Sequence, residues 1–297
     1  MNLIKPKKLN LGDTISIIAP AGGVDLNRIE IATKYFADKG YKIKLGSNVN
    51  KKNRYLAGTD EEKIEDLHNA FLDNEVNAII CARGGYGAIR LINKIDYDII
   101  KNNPKIFCGY SDITALSIMI LKNAGLITYS GPMIQSDFAN DQLNKYTEEE
   151  FFNTLQGKTR EIRPINGLKV YRSGNSEGIL FGGNLATVAS LCGQDFIPDE
   201  DFIFFTEDIN EDAYKIDKYF TQLLNINKFK YKVKGIVLGD FTGIDNKNYL
   251  DQFFAELSNK LDIPIYSGYP ISHTEVKATI PIGAKANLKD DVLEILN

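Results

Sequence analysis

The 297-residue sequence contains two histidines, no tryptophan and three cysteines. The two histidines, His68 and His273, stand far apart and no Cys-x-x-Cys pair occurs. No metal-site spacing is therefore present, and neither a metal nor a cofactor is expected. An odd number of cysteines (Cys81, Cys108, Cys192), each in an apolar segment, reads as buried thiols in a reducing compartment and not as a disulfide framework. No run of eighteen apolar residues occurs, which argues against a membrane-spanning helix. The opening residues, Met1 to Lys8, lack the apolar core of a secretory signal. A soluble, cytoplasmic protein is expected. Charge of one sign is nowhere concentrated: 35 Lys and Arg are interspersed with 39 Asp and Glu, for a net charge of −4. That balance argues against nucleic acid or an anionic membrane as partner.

The composition that remains is that of a globular enzyme, with 43% hydrophobic and 25% charged residues. The length suffices for two domains. The first half alternates short apolar runs with amphipathic stretches. Thr14 to Ala19 reads as a buried strand stopped by Pro20 and Gly22-Gly23. Ile29, Ala32, Tyr35 and Phe36 form a helical stripe, and Tyr41 to Leu45 alternates as a strand does. Thr59 and Glu62 have capping-box spacing ahead of Ile64, Leu67 and Phe71. Strands are expected at Val76 to Ala82 and at Ile106 to Cys108, with a helix over Asp112 to Lys122. This βαβα rhythm predicts an α/β fold, a parallel sheet covered by helices, whose ligands bind beyond the carboxyl ends of the strands.

The pattern loosens between about residues 157 and 176. A boundary placed there gives domains 1–165 and 166–297. In the second half, strands are expected at Gly178 to Asn184, Phe202 to Thr206 and Val233 to Leu238. Helices are expected through about Cys192, over Tyr214 to Leu224 and over Phe253 to Leu261, with short strands and turns after that.

Three positions suggest chemistry. Gly109-Tyr110-Ser111-Asp112 lies at a strand-to-helix turn, where unpaired N–H groups favour a developing anion. The same residues would also serve as an ordinary helix cap, and the Gly-x-Ser-x-Gly elbow is not met because position 113 is Ile. His273 lies in a loop-like stretch after Pro270, whereas His68 lies within a helix beside the buried position Leu67. His273 is thus the better general base. Glu207 ends an apolar strand and is placed to hold an imidazole. From the residues alone Asp208 competes with it, while Glu211 and Asp212 fit the first turn of the next helix. Arg83-Gly84-Gly85-Tyr86-Gly87 forms a glycine-rich loop between strand and helix. It can offer backbone N–H groups to an anion or simply make a tight turn. It carries no nucleotide-binding fingerprint.

Taken in order, several segments together resemble the LD-carboxypeptidase family of serine peptidases, which includes muropeptide carboxypeptidases and the microcin C self-immunity peptidase. They are Tyr55-Leu56-Ala57-Gly58-Thr59-Asp60, Cys81 to Gly87, Gly109 to Asp112, Gly131-Pro132-Met133, Gly182-Gly183-Asn184-Leu185, Glu207-Asp208, and His273 followed by Ile280-Pro281-Ile282-Gly283. The resemblance spans nearly the whole chain. It implies Ser111 as nucleophile, His273 as base and Glu207 as orienting acid. The oxyanion hole would be formed by the backbone N–H of Asp112 and of Gly85, with Gly84 as the alternative. It also implies a parallel-sheet three-layer N-terminal domain, a smaller mixed β-rich C-terminal domain, a homodimer, and a small peptide as substrate. Arg83 is a candidate for the substrate's free carboxylate. Two departures stand out: Ser130 precedes Gly131 where members often have histidine, and Ile271-Ser272 precedes His273 where Phe-Gly is commoner. The expected reaction is loss of the terminal D-alanine from a murein tetrapeptide. The alternatives are cleavage of an acyl-sulfamoyl adenylate and a two-domain binding protein without catalysis.

Overall fold

The computed structural model describes residues 2–140 and 142–296. The chain forms two compact units. One comprises Asn2–Lys158 with Thr279–Pro281, and the other Thr159–Ala278 with the chain from Ile282 onward.

The first unit alternates strand and helix: β1 (Thr14–Ile18), α1 (Leu26–Asp38), β2 (Lys42–Leu45), α2 (Asp60–Leu72), β3 (Val76–Cys81), α3 (Tyr97–Asn102), β4 (Ile106–Cys108), α4 (Thr114–Ala124), β5 (Thr128–Ser130) and α5 (Lys145–Leu155). The strand order β5-β4-β3-β1-β2 is parallel throughout. Every residue of β1 and β4 is buried, as befits strands with helices over both faces. In β2 the end positions are exposed, and it lies at the sheet edge. Helix α2 begins with both bonds of the capping box: Glu62 N–H donates to Thr59 Oγ1 at 3.2 Å, and Thr59 N–H to Glu62 Oε2 at 2.8 Å. With no tryptophan in the chain, phenylalanines fill the core. Phe138 packs edge-on against Phe36 and Phe151, with centroids 4.7 and 4.8 Å away.

The second unit holds β6 (Glu161–Ile162), β7 (Lys169–Arg172), β8 (Ser176–Asn184), α6 (Leu185–Ser190), β9 (Phe202–Ile209), α7 (Ala213–Leu224), α8 (Asn227–Lys232), β10 (Val233–Thr242), α9 (Lys247–Leu261) and β11 (Ile265–Ser267). After these come β12 (Ile280–Ile282), β13 (Lys285–Lys289) and β14 (Val292–Ile295), of which β12 joins the first sheet beside β5. The eight-stranded second sheet is mixed, in the order β6-β14-β13-β8-β9-β10-β11-β7. Its middle, β8-β9-β10-β11, is parallel, and the flanking pairs are antiparallel. Phe204 on β9 packs against Phe220 of α7 and Phe229 of α8.

Three local expectations are revised. Ser111–Ile113 form a 3₁₀ turn, so the α-helix begins at Thr114 and not at Asp112. Asp212 is the N-cap residue of α7 and Glu211 precedes it; both carboxylates ion-pair with Lys215. The loose stretch after residue 157 contains β6 and β7, short edge strands of the second sheet, whose exposed residues leave little apolar alternation to read. No described helix is long and apolar enough to cross a membrane.

Candidate active site

Within the first unit, β3 lies between β1 and β4, all three parallel, so their carboxyl ends leave the sheet side by side. The three loops that follow are in contact. Gly22 N–H donates to the Gly84 carbonyl at 3.2 Å. Gly84 presses on the Ser111 turn: a Cβ there would stand 2.9 Å from Ser111 Cβ, 3.1 Å from its Oγ and 3.4 Å from the Asp112 nitrogen. Only glycine permits that approach. The structure therefore brings Gly84, Ser111 and Asp112 together, with Gly85 next along the loop.

Ser111 is half-buried and has φ of 61°, in the left-handed region. A non-glycine residue held there costs about 1–3 kcal/mol and is typical of functional turns. Asp112 is buried, and its Oδ2 accepts the Ala88 N–H at 2.8 Å. The carboxylate so ties the end of the glycine loop to the Ser111 turn. Burial pushes the Asp112 carboxyl up to about 6, opposed by the Ala88 N–H and the Lys63 ammonium. Arg83 is half-buried, and its Nη1 donates to the Gly23 carbonyl at 3.3 Å. That bond braces one loop against another and uses one of five guanidinium donors.

Within the second unit, β9, β10 and β11 are adjacent and parallel. Glu207 lies near the carboxyl end of β9, which runs two residues beyond it to Ile209, and is buried. His273 follows β11, two strands away. The segment 269–273 crosses the end of β10, where Asp240 N–H donates to the Ile271 carbonyl at 2.9 Å. This crossing brings His273 Nδ1 to 2.7 Å from Glu207 Oε2. An ionised carboxylate only accepts, so the bond places the ring proton on Nδ1 and the basic lone pair on Nε2. The imidazole side chain is 15% exposed and the carboxylate side chain 5%.

Asn184, at the end of β8, pairs in register with Glu207. Its Nδ2 donates to Glu207 Oε1 at 3.3 Å and to Asp208 Oδ1 at 2.9 Å. Asp208 is otherwise engaged: its Oδ2 accepts Ala186 N–H at 2.8 Å and its Oδ1 accepts Ile209 N–H at 2.9 Å. Burial raises its carboxyl to about 6 despite those donors. Of the two neighbouring acids, Glu207 is thus the one that meets the imidazole. Ser272 secures the loop: its Oγ donates to the Val276 carbonyl at 3.0 Å and accepts Thr274 N–H at 3.1 Å. Asp240, half-buried beside this loop, accepts from Asn166 at 3.2 Å, and burial raises its carboxyl.

His68 is structural. Its Nε2 accepts the Asp96 N–H at 3.0 Å where α3 begins, and burial lowers its basicity. Cys81 and Cys108 are buried thiols pushed upward by desolvation, and Cys192 is half-buried. Among the described residues no group of three or more His, Cys, Asp or Glu is arranged to hold a metal ion. Sequence reasoning did not reach the left-handed φ of Ser111, the bond from Asn184 to Glu207 or the role of Ser272. No residue type marks the first, since a serine and not a glycine stands at position 111.

Residues 15–131 match the sequence model of the LD-carboxypeptidase N-terminal domain, and residues 177–288 that of the LD-carboxypeptidase C-terminal domain. The chain is 37% identical to the probable murein peptide carboxypeptidase of Bacillus subtilis, over 95% of this chain and 90% of that one. It is 30% identical to the microcin C7 self-immunity protein MccF of Escherichia coli, over 95% and 92% of the two chains. The crystal structure of muramoyltetrapeptide carboxypeptidase from Oxalobacter formigenes superposes with a TM-score of 0.84 at 31% identity, covering 96% of this chain and 99% of that one. Two domain matches in family order, and relatives aligned along almost their whole length, establish that this chain belongs to the LD-carboxypeptidase family.

Proposed function

We propose that the protein is a serine-type LD-carboxypeptidase that hydrolyses the amide between the L-centre of a diamino acid and the terminal D-alanine of murein tetrapeptides. Ser111 is the nucleophile, His273 the general base and Glu207 the acid that orients the base. The observation that carries this reading is the 2.7 Å contact between His273 Nδ1 and Glu207 Oε2. It gives the imidazole the tautomer a general base needs. The left-handed backbone at Ser111 and the glycine loop pressed against it support the other half of the assignment.

In this mechanism His273 Nε2 takes the Ser111 proton as Oγ attacks the peptide carbonyl. The oxyanion is held by the Asp112 N–H and an N–H of the Gly84-Gly85 pair. His273 then protonates the departing amine of D-alanine, and water resolves the acyl-enzyme with His273 again as base. Arg83 meets the substrate's terminal carboxylate with the donors its bond to Gly23 leaves over. If Arg83→Ala leaves the preference for a free over an amidated C-terminus unchanged, Arg83 does not have that role. The proposed setting is the cytoplasm during cell-wall recycling, and the proposed assembly is a homodimer, which light scattering in solution tests.

A second reading keeps the catalyst and changes the substrate to an acyl-sulfamoyl adenylate. Tyr86 of the glycine loop and Tyr55 are 47% and 59% exposed, with ring centroids 5.7 Å apart. Such a pair offers faces on which a nucleobase can stack. Parallel hydrolysis assays with a murein tetrapeptide and an aminoacyl-sulfamoyl adenosine decide the matter. The first reading predicts turnover of the tetrapeptide at the higher kcat/KM. Turnover of the nucleotide alone replaces it with the second.

A further inference from the structure

We infer that Lys63 is a positioning residue for the Ser111 turn: its buried ammonium holds the Asp112 carboxyl ionised, and that carboxylate clamps the end of the glycine loop to the turn carrying Ser111. Lys63 lies on α2, outside every group assigned above, and its side chain is 1% exposed. Burying a lysine without full compensation is costly. The nearest carboxylate oxygen is Asp60 Oδ1 at 3.3 Å. Asp60 is already occupied: Arg90 Nε and Nη2 each donate to it at 2.9 Å, and Lys94 Nζ at 3.1 Å. These partners, Arg90 first, hold the Asp60 carboxyl far below the ordinary range. Lys63 Nζ makes no hydrogen bond of normal geometry among the described residues. Three cations thus meet at Asp60, only Lys94 among them also reaching a second carboxylate, Glu61 Oε1 at 3.3 Å, and positive charge is left over beneath the glycine loop.

The position of that charge is informative. A Cβ on Gly87 would stand 3.2 Å from Lys63 Nζ, so the ammonium lies directly against the loop. The remaining anion it acts on is Asp112, whose Oδ2 receives the Ala88 N–H at 2.8 Å. The groups facing Lys63 are Asp60 on its own helix, Arg90 on the 3₁₀ turn after the loop, and Asp112. Those acting on the Asp112 carboxyl are the Ala88 N–H and Lys63. A carboxylate accepts a hydrogen bond about twice as strongly as a neutral acid. Protonating Asp112 therefore loosens the clamp, and Lys63 lowers the pH at which that happens.

The consequence for rate rests on the proposed function, since the clamp aligns the Asp112 N–H and the glycine loop on the oxyanion. The test is the pH dependence of kcat for D-alanine release by wild type, Lys63→Gln and Lys63→Arg, with a thermal melt of each. In Lys63→Gln the acid limb of kcat moves upward by about 1 in pH or more, while Lys63→Arg keeps it near the wild-type position. A limb set by His273 alone does not move, and an unmoved limb in folded Lys63→Gln overturns the inference. Should Lys63→Gln fail to fold, Asp112→Asn supplies the neutral state directly. It lowers kcat about tenfold or more across the pH range, and a wild-type kcat there contradicts the clamp. Amide hydrogen exchange in the peptide containing Ala88 needs no substrate, so it separates this inference from the assignment of function. At pH 7 exchange is faster in Lys63→Gln than in wild type, and equal exchange overturns the clamp.

Discussion

Gly239 lies directly against the backbone of Ile271 in the second unit. A Cβ on Gly239 would overlap the Ile271 carbonyl oxygen and stand 2.7 Å from Ile271 Cβ. This contact is where the segment after β11 crosses β10, and the crossing delivers His273 to Glu207. Gly239→Ala must lift that segment. The expected result is a fall in kcat of about 100-fold, because displacement of a catalytic group by an ångström has that effect. Overpacking should also destabilise the fold by about 1–3 kcal/mol. Steady-state kinetics and denaturant unfolding on the same preparation measure the two effects separately.

Glu207 and Asp208 are adjacent carboxylates with different partners. Glu207→Gln removes the charge behind the imidazole and admits the wrong tautomer, so kcat should fall on the order of 10²–10⁴-fold with little change in KM. Asp208→Asn weakens the acceptors for Ala186 and Ile209 N–H and should act mainly on stability. A larger loss of kcat in Asp208→Asn than in Glu207→Gln would reverse the assignment.

Asp112 and Asp208 both have carboxyls raised by burial to about 6, from an ordinary value of 3.8. Between those values the folded state binds protons that the unfolded chain has released. Their linked contribution to stability is therefore complete below about pH 4 and is lost as pH rises through 6. Replacing Asp208 with Asn should remove one share of this, on the order of 1–3 kcal/mol. Urea unfolding of wild type and Asp208→Asn at intervals from pH 4 to 7 checks the sign. The difference in stability between the two must change across that window in the direction that favours the variant at higher pH.

Ser272 makes two hydrogen bonds with backbone of the His273 loop, to Thr274 N–H and the Val276 carbonyl, and its Oγ lies 2.8 Å from Thr274 Oγ1. Ser272→Ala should cost about 1–2 kcal/mol of stability. On the proposed role of His273 as base, it should also lower kcat more than it raises KM. Unchanged kcat in a destabilised Ser272→Ala would mean that Glu207 alone holds the imidazole.

Much of this was legible in the sequence because the relevant signals are local. The capping box at Thr59 and Glu62 formed with both bonds. The buried runs of β1 and β3 read as strands because helices cover both faces of a parallel sheet, and β9 because it lies in the buried parallel middle of the second sheet. Other features depend on long-range contact. Nothing near Asn184 indicates that β8 pairs with β9 in a register that sets it opposite Glu207. Nothing near Gly239 announces a chain crossing from thirty residues later. Lys63 reads as one more charged residue on an amphipathic helix until the glycine loop folds over it. The positive φ of Ser111 is likewise imposed by its surroundings and has no glycine to mark it.

The most direct measurement is mass spectrometry of a purified murein tetrapeptide incubated with wild type and with Ser111→Ala. The account predicts a tripeptide and free D-alanine from wild type, and intact tetrapeptide from the variant. Intact tetrapeptide from wild type, or equal release by both proteins, would contradict it.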